Sequence, residues 1–323
     1  MHAYGLAIGH HGEILQGVFR GRDNRLHRAL VTLPFTSRYS VAVAEPIDGD
    51  NVLVSPKHKT KSREATRLFL DEIGHSGMGI KLTVNSNIPE GFGLGSSTTD
   101  IVATIRATAR LIGMEPKAST IFRLAVRTEA ASDGTMFTGK PRLVCQREGT
   151  ILERFKKRIP EFSMISVNVA PSDPVDTLTH PPARYTEDEI REFGKLRKLL
   201  RRALENESLR DLGGVATRSA VINQQHLPQP HFDFLLELSQ STKALGLQVA
   251  HSGRMVGIFF DPRLEREDKT IQHIQSELLR LNLSSAFFRS HSITGRWYET
   301  GMPRIGAPRV WDTFPQTKAR SRS

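Results

Sequence analysis

The chain has 323 residues, 38% hydrophobic and 24% charged, a length that accommodates two domains with sizeable buried cores. No apolar run approaches the roughly 20 residues that span a bilayer. The opening MHAYGLAIGHHGE lacks the basic and apolar regions of a secretory signal, and the single cysteine, Cys145, excludes an internal disulfide; both fit a reducing, cytoplasmic location. The formal charge of +11, from 45 Lys and Arg against 34 Asp and Glu, is scattered in short clusters without interleaved aromatics. That pattern argues against a nucleic-acid stacking platform and reads as solvated helix faces and a loose tail, with nucleic acid as the minor alternative.

In chain order, LVTLPFTSRYSVAVAEP (30–46) alternates and is rich in β-branched residues, so it reads as strands. The basic stretch KHKTKSR (57–63) reads as a solvated face. GIKLTVNSNIP (79–89) is a strand ended by Pro89. Residues 98–113 carry Ile101, Ile105, Ala109 and Ile112 at helical spacing, and a second helix follows over about 117–131, with Ile121, Leu124, Ala125 and Ala131 inward. RLVCQREGTILERF (142–155) predicts a hairpin turning at Gly149, with Cys145 as a small core residue. A boundary between about 155 and 165 divides an N-terminal domain (1–158) from a C-terminal one (159–295). The second domain opens its first helix with Thr186 and Glu189 in capping-box positions. Further helices are expected over about 208–222, 230–245 and 265–281. LGLQVAHSGRMVGIFFDP reads as strand, turn, strand, and SSAFFRSHSI as a final strand. Residues 296–323 form a basic, extended tail.

The stretch IPEGFGLGSSTTDI (88–101) concentrates the chemistry. Gly91, Gly93 and Gly95 precede four hydroxyl residues and then an apolar helix. Glycines supply positive φ or let a ligand approach the backbone, and a helix N-terminus offers free N–H groups and partial positive charge. A phosphate cradle and an ordinary loop-to-helix turn both satisfy this pattern. Two familiar phosphate signatures fail. GTMFTGKP (134–141) ends in Pro141 where the Walker A motif needs a hydroxyl, and GFGLGS has the wrong spacing for a dinucleotide fingerprint.

Pro89-Glu90-Gly91-Phe92-Gly93-Leu94-Gly95-Ser96-Ser97 instead resembles the P-x-x-x-G-L-G-S-S motif of the GHMP kinases. GHHGEILQG (9–17) is similar to that family's first motif, and VAHSGRMVG (249–257) stands where its third glycine-rich motif falls. With PVDT (174–177), these variants resemble the branch containing the L-threonine kinases of cobalamin side-chain synthesis. The resemblance implies an α+β fold of two domains, a ribosomal-S5-like N-terminal one and a ferredoxin-like C-terminal one. It also implies phosphorylation of an amino-acid hydroxyl by ATP with Mg²⁺. L-threonine is the leading acceptor, with homoserine, serine or another alcohol as alternatives. A non-catalytic nucleotide- or RNA-binding protein on the same fold is the competing class.

The resemblance also implies roles. Residues 89–97 and Thr98 would hold ATP. Ser97 and Glu129 would hold the metal, and Asp133 would be the catalytic base. Glu13 and Gln16 would line the acceptor pocket, and His251, Ser252 and Gly253 would close over phosphate or acceptor. The plain alternative is a solvated Glu129 and an Asp133–Gly134 turn. Other residues carry blander expectations. Ser96 or Ser97 caps the helix, Asp100 is a first-turn acid favoured by the helix dipole, and His10 and His11 are loop histidines with local hydrogen bonds. Asp173, Asp176 and Thr177 lie in a proline-flanked loop, while Asn223, Gln224 and Gln225 are helix-end polar groups.

Overall fold

The computed structural model describes residues 1–170, 183–250 and 254–290. Its spine is one curled sheet in the order β10-β7-β9-β8-β1-β2-β4-β3. Two long strands, β1 (Ala3–Arg20) and β2 (Leu26–Pro46), run antiparallel through its centre. β3 (Val52–Ser55) and β4 (Ile80–Ser86) extend one side, with β3 parallel to β4. β7 (Ser163–Asn168), β8 (Gly246–Val249), β9 (Met255–Phe260) and β10 (Ser284–Arg289) extend the other. The two sides meet where Glu13 of β1 pairs with Val249 of β8. β5 (Arg142–Cys145) and β6 (Thr150–Arg154) form the expected hairpin at Gly149 and join β2 through Leu30 and Val144.

Helices α1 (Thr60–Glu72), α2 (Ser96–Leu111) and α3 (Ala118–Glu129) enclose one core with the β1–β4 side. α2 lies so close to β1 that a Cβ on Gly5 would sit 2.0 Å from the Ala103 carbonyl oxygen. Only glycine permits that approach, which seats α2 directly on the central strand. α4 (Glu187–Glu205) and α5 (Leu209–Gln224) pack a second cluster that runs from Ile14 to Phe288. α6 (Phe232–Ser241) and α7 (Lys269–Arg280) cover β7, β8 and β9 in a third. α4 starts with both halves of its capping box, Thr186 and Glu189, as expected.

Several expectations change. The first motif is not a loop: His10 and His11 lie within β1 and are fully buried. The glycines flanking them coincide with register shifts between Ile8 and Gly9 and between His10 and Glu13, so a bulged strand reads locally as a turn. The predicted 117–131 helix stops at Glu129, because Ala130 adopts left-handed geometry with φ of +62°. The predicted 230–245 helix ends at Ser241. β3 and α1 were not foreseen; α1 begins inside the basic stretch taken as a solvated face. Cys145 is buried and joins the core, as expected.

Candidate active site

The glycine-rich loop enters α2 through three left-handed glycines, Gly91, Gly93 and Gly95, with φ of +85°, +74° and +72°. Gly95 is the N-cap residue and offers no side-chain cap, so neither Ser96 nor Ser97 plays that part; both are helical residues. Thr99 bonds back to the Gly95 carbonyl through Oγ1 at 2.7 Å and through its amide at 2.9 Å. The loop is tied to β1 by the His10 amide, which donates to the Leu94 carbonyl at 3.2 Å. An uncapped helix start behind a glycine-lined backbone is the geometry that receives an anion.

Asp100 proves more than a first-turn acid. It is 2% exposed, accepts from Ser40 Oγ at 2.5 Å and pairs with Lys59 Nζ at 2.7 Å. Lys59 also reaches Glu90 Oε1 at 2.6 Å. Burial pulls the Lys59 pKa down, but its bonds to Asp100 and Glu90 outweigh this and raise it. One ammonium therefore clamps the phosphate loop at Glu90 to the buried face of α2. Lys59 was hidden in the sequence within an ordinary-looking basic cluster.

Glu129 ends α3 with its side chain 5% exposed. It accepts from Thr98 Oγ1 and lies 3.8 Å from Lys61 Nζ. Burial raises its pKa, opposed by Thr98, Ser97 and Lys61 and reinforced by Asp133. The Ser97 hydroxyl lies against this carboxylate, yet its buried oxygen completes no aligned hydrogen bond. A carboxylate beside an orphaned hydroxyl is an oxygen donor set suited to a hard divalent cation. Ser97 and Glu129 therefore come together as the resemblance implied.

Asp133 follows in the turn after α3. That turn is pinned by Ser132 N donating to the Gln146 carbonyl at 2.9 Å and by Gly134 N donating to Thr32 Oγ1 at 2.8 Å. Asp133 Oδ2 stands 2.7 Å from His10 Nε2. The other ring nitrogen, His10 Nδ1, accepts from the Gly12 amide at 2.9 Å, which favours the Nε2–H form. Burial opposes charge on His10 while Asp133 and Glu13 favour it; with the Gly12 N–H occupying Nδ1, the ring's one proton sits on Nε2, toward Asp133. Glu13 is 2% exposed, and one ligand atom from each of His10, Glu13 and Asp133 falls within 4.8 Å of the others.

His11 does different work. Nδ1 lies 2.7 Å from Gln248 Oε1 and Nε2 lies 2.7 Å from Ser166 Oγ, so the ring ties β1 to β8 and β7. Burial lowers its pKa to about 4, against the Gln248 hydrogen bond. Gln16 is held by its backbone: its amide donates to Ser219 Oγ and its carbonyl accepts from Asn223 Nδ2, both at 3.0 Å. Among the described residues, no hydrogen bond joins the Gln16 side chain to the His10–Asp133 group. Asn223 is 3% exposed and accepts from Tyr185 Oη at 2.6 Å, so it is a buried structural bridge rather than an idle helix end. His251, Ser252, Gly253, Asp173, Asp176, Thr177 and the 296–323 tail lie outside the described residues.

Residues 60–138 match the model of the GHMP kinases N terminal domain. An L-threonine kinase of Salmonella typhimurium is 25% identical over 303 residues, covering 87% of this chain and 89% of that protein. Residues 60–138 therefore carry a GHMP kinases N terminal domain. A mevalonate kinase of Pyrococcus furiosus is 42% identical to this chain over 72 residues, 22% of each chain. Among solved structures, a homoserine kinase from Cytophaga hutchinsonii superposes with a TM-score of 0.67 at 16% identity, covering 90% of this chain and 95% of that one. The expected α+β GHMP kinase fold is thus the one observed. With that domain and with kinase relatives over most of its length, the protein is a phosphotransferase that uses ATP and acts on a hydroxyl. Among the described residues, no helix is long and apolar enough to cross a membrane.

Proposed function

We propose that this kinase phosphorylates the side-chain hydroxyl of an amino acid, L-threonine first, using ATP with Mg²⁺. The observation that carries this reading is the convergence of three groups on one face. These are the glycine-lined start of α2, the Ser97–Glu129 donor pair, and Asp133 held by His10. The choice of L-threonine is supported by L-threonine kinases from Salmonella typhimurium and Citrobacter freundii, which match this chain over 87% and 77% of its length.

In this reading, residues 89–98 bind the triphosphate through backbone amides and hydroxyls. The free amides at the start of α2 stabilise negative charge on the transferring group. Glu129 and Ser97 hold Mg²⁺, which when bound neutralises phosphate charge. Asp133 accepts the proton of the acceptor hydroxyl as its oxygen bonds to the γ-phosphorus and the bond to the ADP oxygen breaks. His10 Nε2, 2.7 Å from Oδ2, holds this carboxylate in place. Glu13, a buried carboxylate beside this pair, holds the acceptor α-amino group, with Gln16 as the second acceptor-side residue. Residues 1–158 supply the nucleotide machinery, residues 159–295 the second wall, and the chain works in the cytoplasm.

The test is ADP release with Mg²⁺-ATP across L-threonine, L-serine, L-homoserine and non-amino alcohols. Strong dependence on L-threonine, with phosphothreonine as product, is expected. ADP release driven only by a non-amino alcohol would overturn the amino-acid assignment.

A further inference from the structure

A second cluster of ligand-bearing side chains stands where the β1–β2 turn meets the β5–β6 hairpin. It gathers His27 from the start of β2, Cys145 from the end of β5 and Glu148 from the hairpin turn. A ring nitrogen of His27, Cys145 Sγ and a Glu148 oxygen all fall within 4.8 Å of one another. The cluster is separate from the His10–Asp133 group. His27 pairs with Phe19 and Thr32 with Glu13, so the two places are about 17 Å apart along β2.

The backbone and neighbouring side chains hold these donors in place. The amides of Glu148 and Gly149 both donate to the Cys145 carbonyl at 3.0 Å, which fixes the turn over the thiol. His27 is held from two sides: Nδ1 lies 2.9 Å from Glu148 Oε2, and Nε2 lies 3.2 Å from Asp23 Oδ1. Asp23 is itself set by the Arg25 amide, which donates to Oδ1 at 3.1 Å. Gly21 leaves the room for this contact, because a Cβ there would sit 2.5 Å from Asp23 Oδ1 and 2.8 Å from His27 Nε2. Cys145 is fully buried, while the side chains of His27 and Glu148 are 15% and 44% exposed, so the cluster is reached from solvent past Glu148.

A surface ion pair between His27 and its carboxylates needs no thiol. Imidazole, thiolate and carboxylate together are a donor set for a borderline cation such as Zn²⁺, and one thiolate with one carboxylate balances its charge. Zinc holds such atoms about 3.5 Å apart, so closing on an ion takes side-chain movements of about an ångström. A metal-bound imidazole commonly donates its other N–H to a carboxylate, and Asp23 stands at that nitrogen.

We propose that His27 Nδ1, Cys145 Sγ and Glu148 bind Zn²⁺, with Asp23 orienting the imidazole and water in the fourth position. Binding releases the thiol proton and any proton on Nδ1 to solvent and leaves Nε2–H bonded to Asp23. The ion staples the β1–β2 turn to the β5–β6 hairpin. That hairpin also carries Gln146, whose carbonyl accepts from the Ser132 amide, so the staple braces the segment next to Asp133. The inference does not depend on the identity of the acceptor.

The experiment titrates the reduced full chain, free of oxygen, with Co²⁺ as a spectroscopic substitute for Zn²⁺. Cys145 is the only cysteine in the sequence, so a sulfur-to-cobalt charge-transfer band in the near ultraviolet reports this site alone. Wild type should develop a saturable band, and added Zn²⁺ should abolish it by displacement. Asp23→Asn should weaken Co²⁺ binding by about tenfold, as loss of an orienting partner does. His27→Gln should weaken it further, and Cys145→Ser should remove the band. Thermal melts confirm folding. Asp23 and His27 are partly exposed, so their variants decide the matter even where Cys145→Ser does not fold. Cobalt absorption without the charge-transfer band, the signature of oxygen and nitrogen ligands elsewhere, would overturn the site. So would a complete absence of Co²⁺ binding, or a band of unchanged affinity in folded His27→Gln.

Discussion

His10 Nε2 and Asp133 Oδ2 meet at 2.7 Å, joining the first strand to the turn after α3 across 123 residues of sequence. The same imidazole fills the space beside the phosphate loop: a Cβ on Gly95 would lie 2.2 Å from His10 Cδ2. One buried ring thus sets the spacing between the helix start that receives phosphate and the carboxylate that receives the proton. Small misplacements of reacting groups are costly in rate. His10→Ala is therefore expected to lower kcat by about 10- to 100-fold with little change in the KM for ATP. His10→Gln, which keeps an N–H donor, should recover part of the loss. Steady-state kinetics of the two variants check this; equal kcat values for wild type and His10→Ala would remove the positioning role.

Lys59 and Asp100 form the second joint of the site. Their side chains are 13% and 3% exposed, so removing the lysine leaves a buried carboxylate with Ser40 as its remaining donor. Breaking such a pair from one side costs about 3 kcal/mol. Lys59→Met should lower unfolding free energy by that order, and Lys59→Met with Asp100→Asn should restore much of it, because the stranded charge is gone. Urea denaturation of the single and double variants measures both. If the single variant unfolds at the wild-type midpoint, the clamp contributes nothing.

His11 gives the fold an acid limit. Its folded pKa of about 4 lies below the unfolded value of 6.5. Above pH 6.5 the ring is neutral in both states and its contribution is complete. As pH falls from 6.5 toward 4, the unfolded chain binds a proton that the folded chain does not, so stability declines with falling pH, by about 3 kcal/mol in all. Unfolding free energies of wild type and His11→Gln, measured between pH 4.5 and 7, isolate this group. The variant should have the flatter slope; parallel slopes would refute the assignment.

The parts of the site that were legible in the sequence are those encoded locally. The glycines at 91, 93 and 95 sit within five positions and each takes the positive φ that glycine permits. The Thr186–Glu189 capping box and the hairpin at Gly149 are likewise short-range patterns. What escaped was decided by packing between distant segments. Gly9 and Gly12 made β1 look like a loop, because a bulged strand and a turn use the same residues. Asp100 looked like a helix-dipole acid, because its position in the first turn is visible in sequence and its burial against Ser40 and Lys59 is not. Asn223 and Gln16 meet only through the α5–β1 contact.

Asp133 is the proposed destination of the acceptor proton, and replacing it separates that role from nucleotide binding. Asp133→Asn keeps the side chain's shape and removes its capacity to accept the acceptor proton at neutral pH. Acceptor-dependent ADP release with Mg²⁺-ATP and L-threonine is measured for wild type and Asp133→Asn at matched fold stability. A fall in kcat of about 100-fold or more is expected, with nucleotide affinity retained. Near-wild-type kcat in Asp133→Asn would contradict it, and would move the proton's destination away from the His10–Asp133 pair.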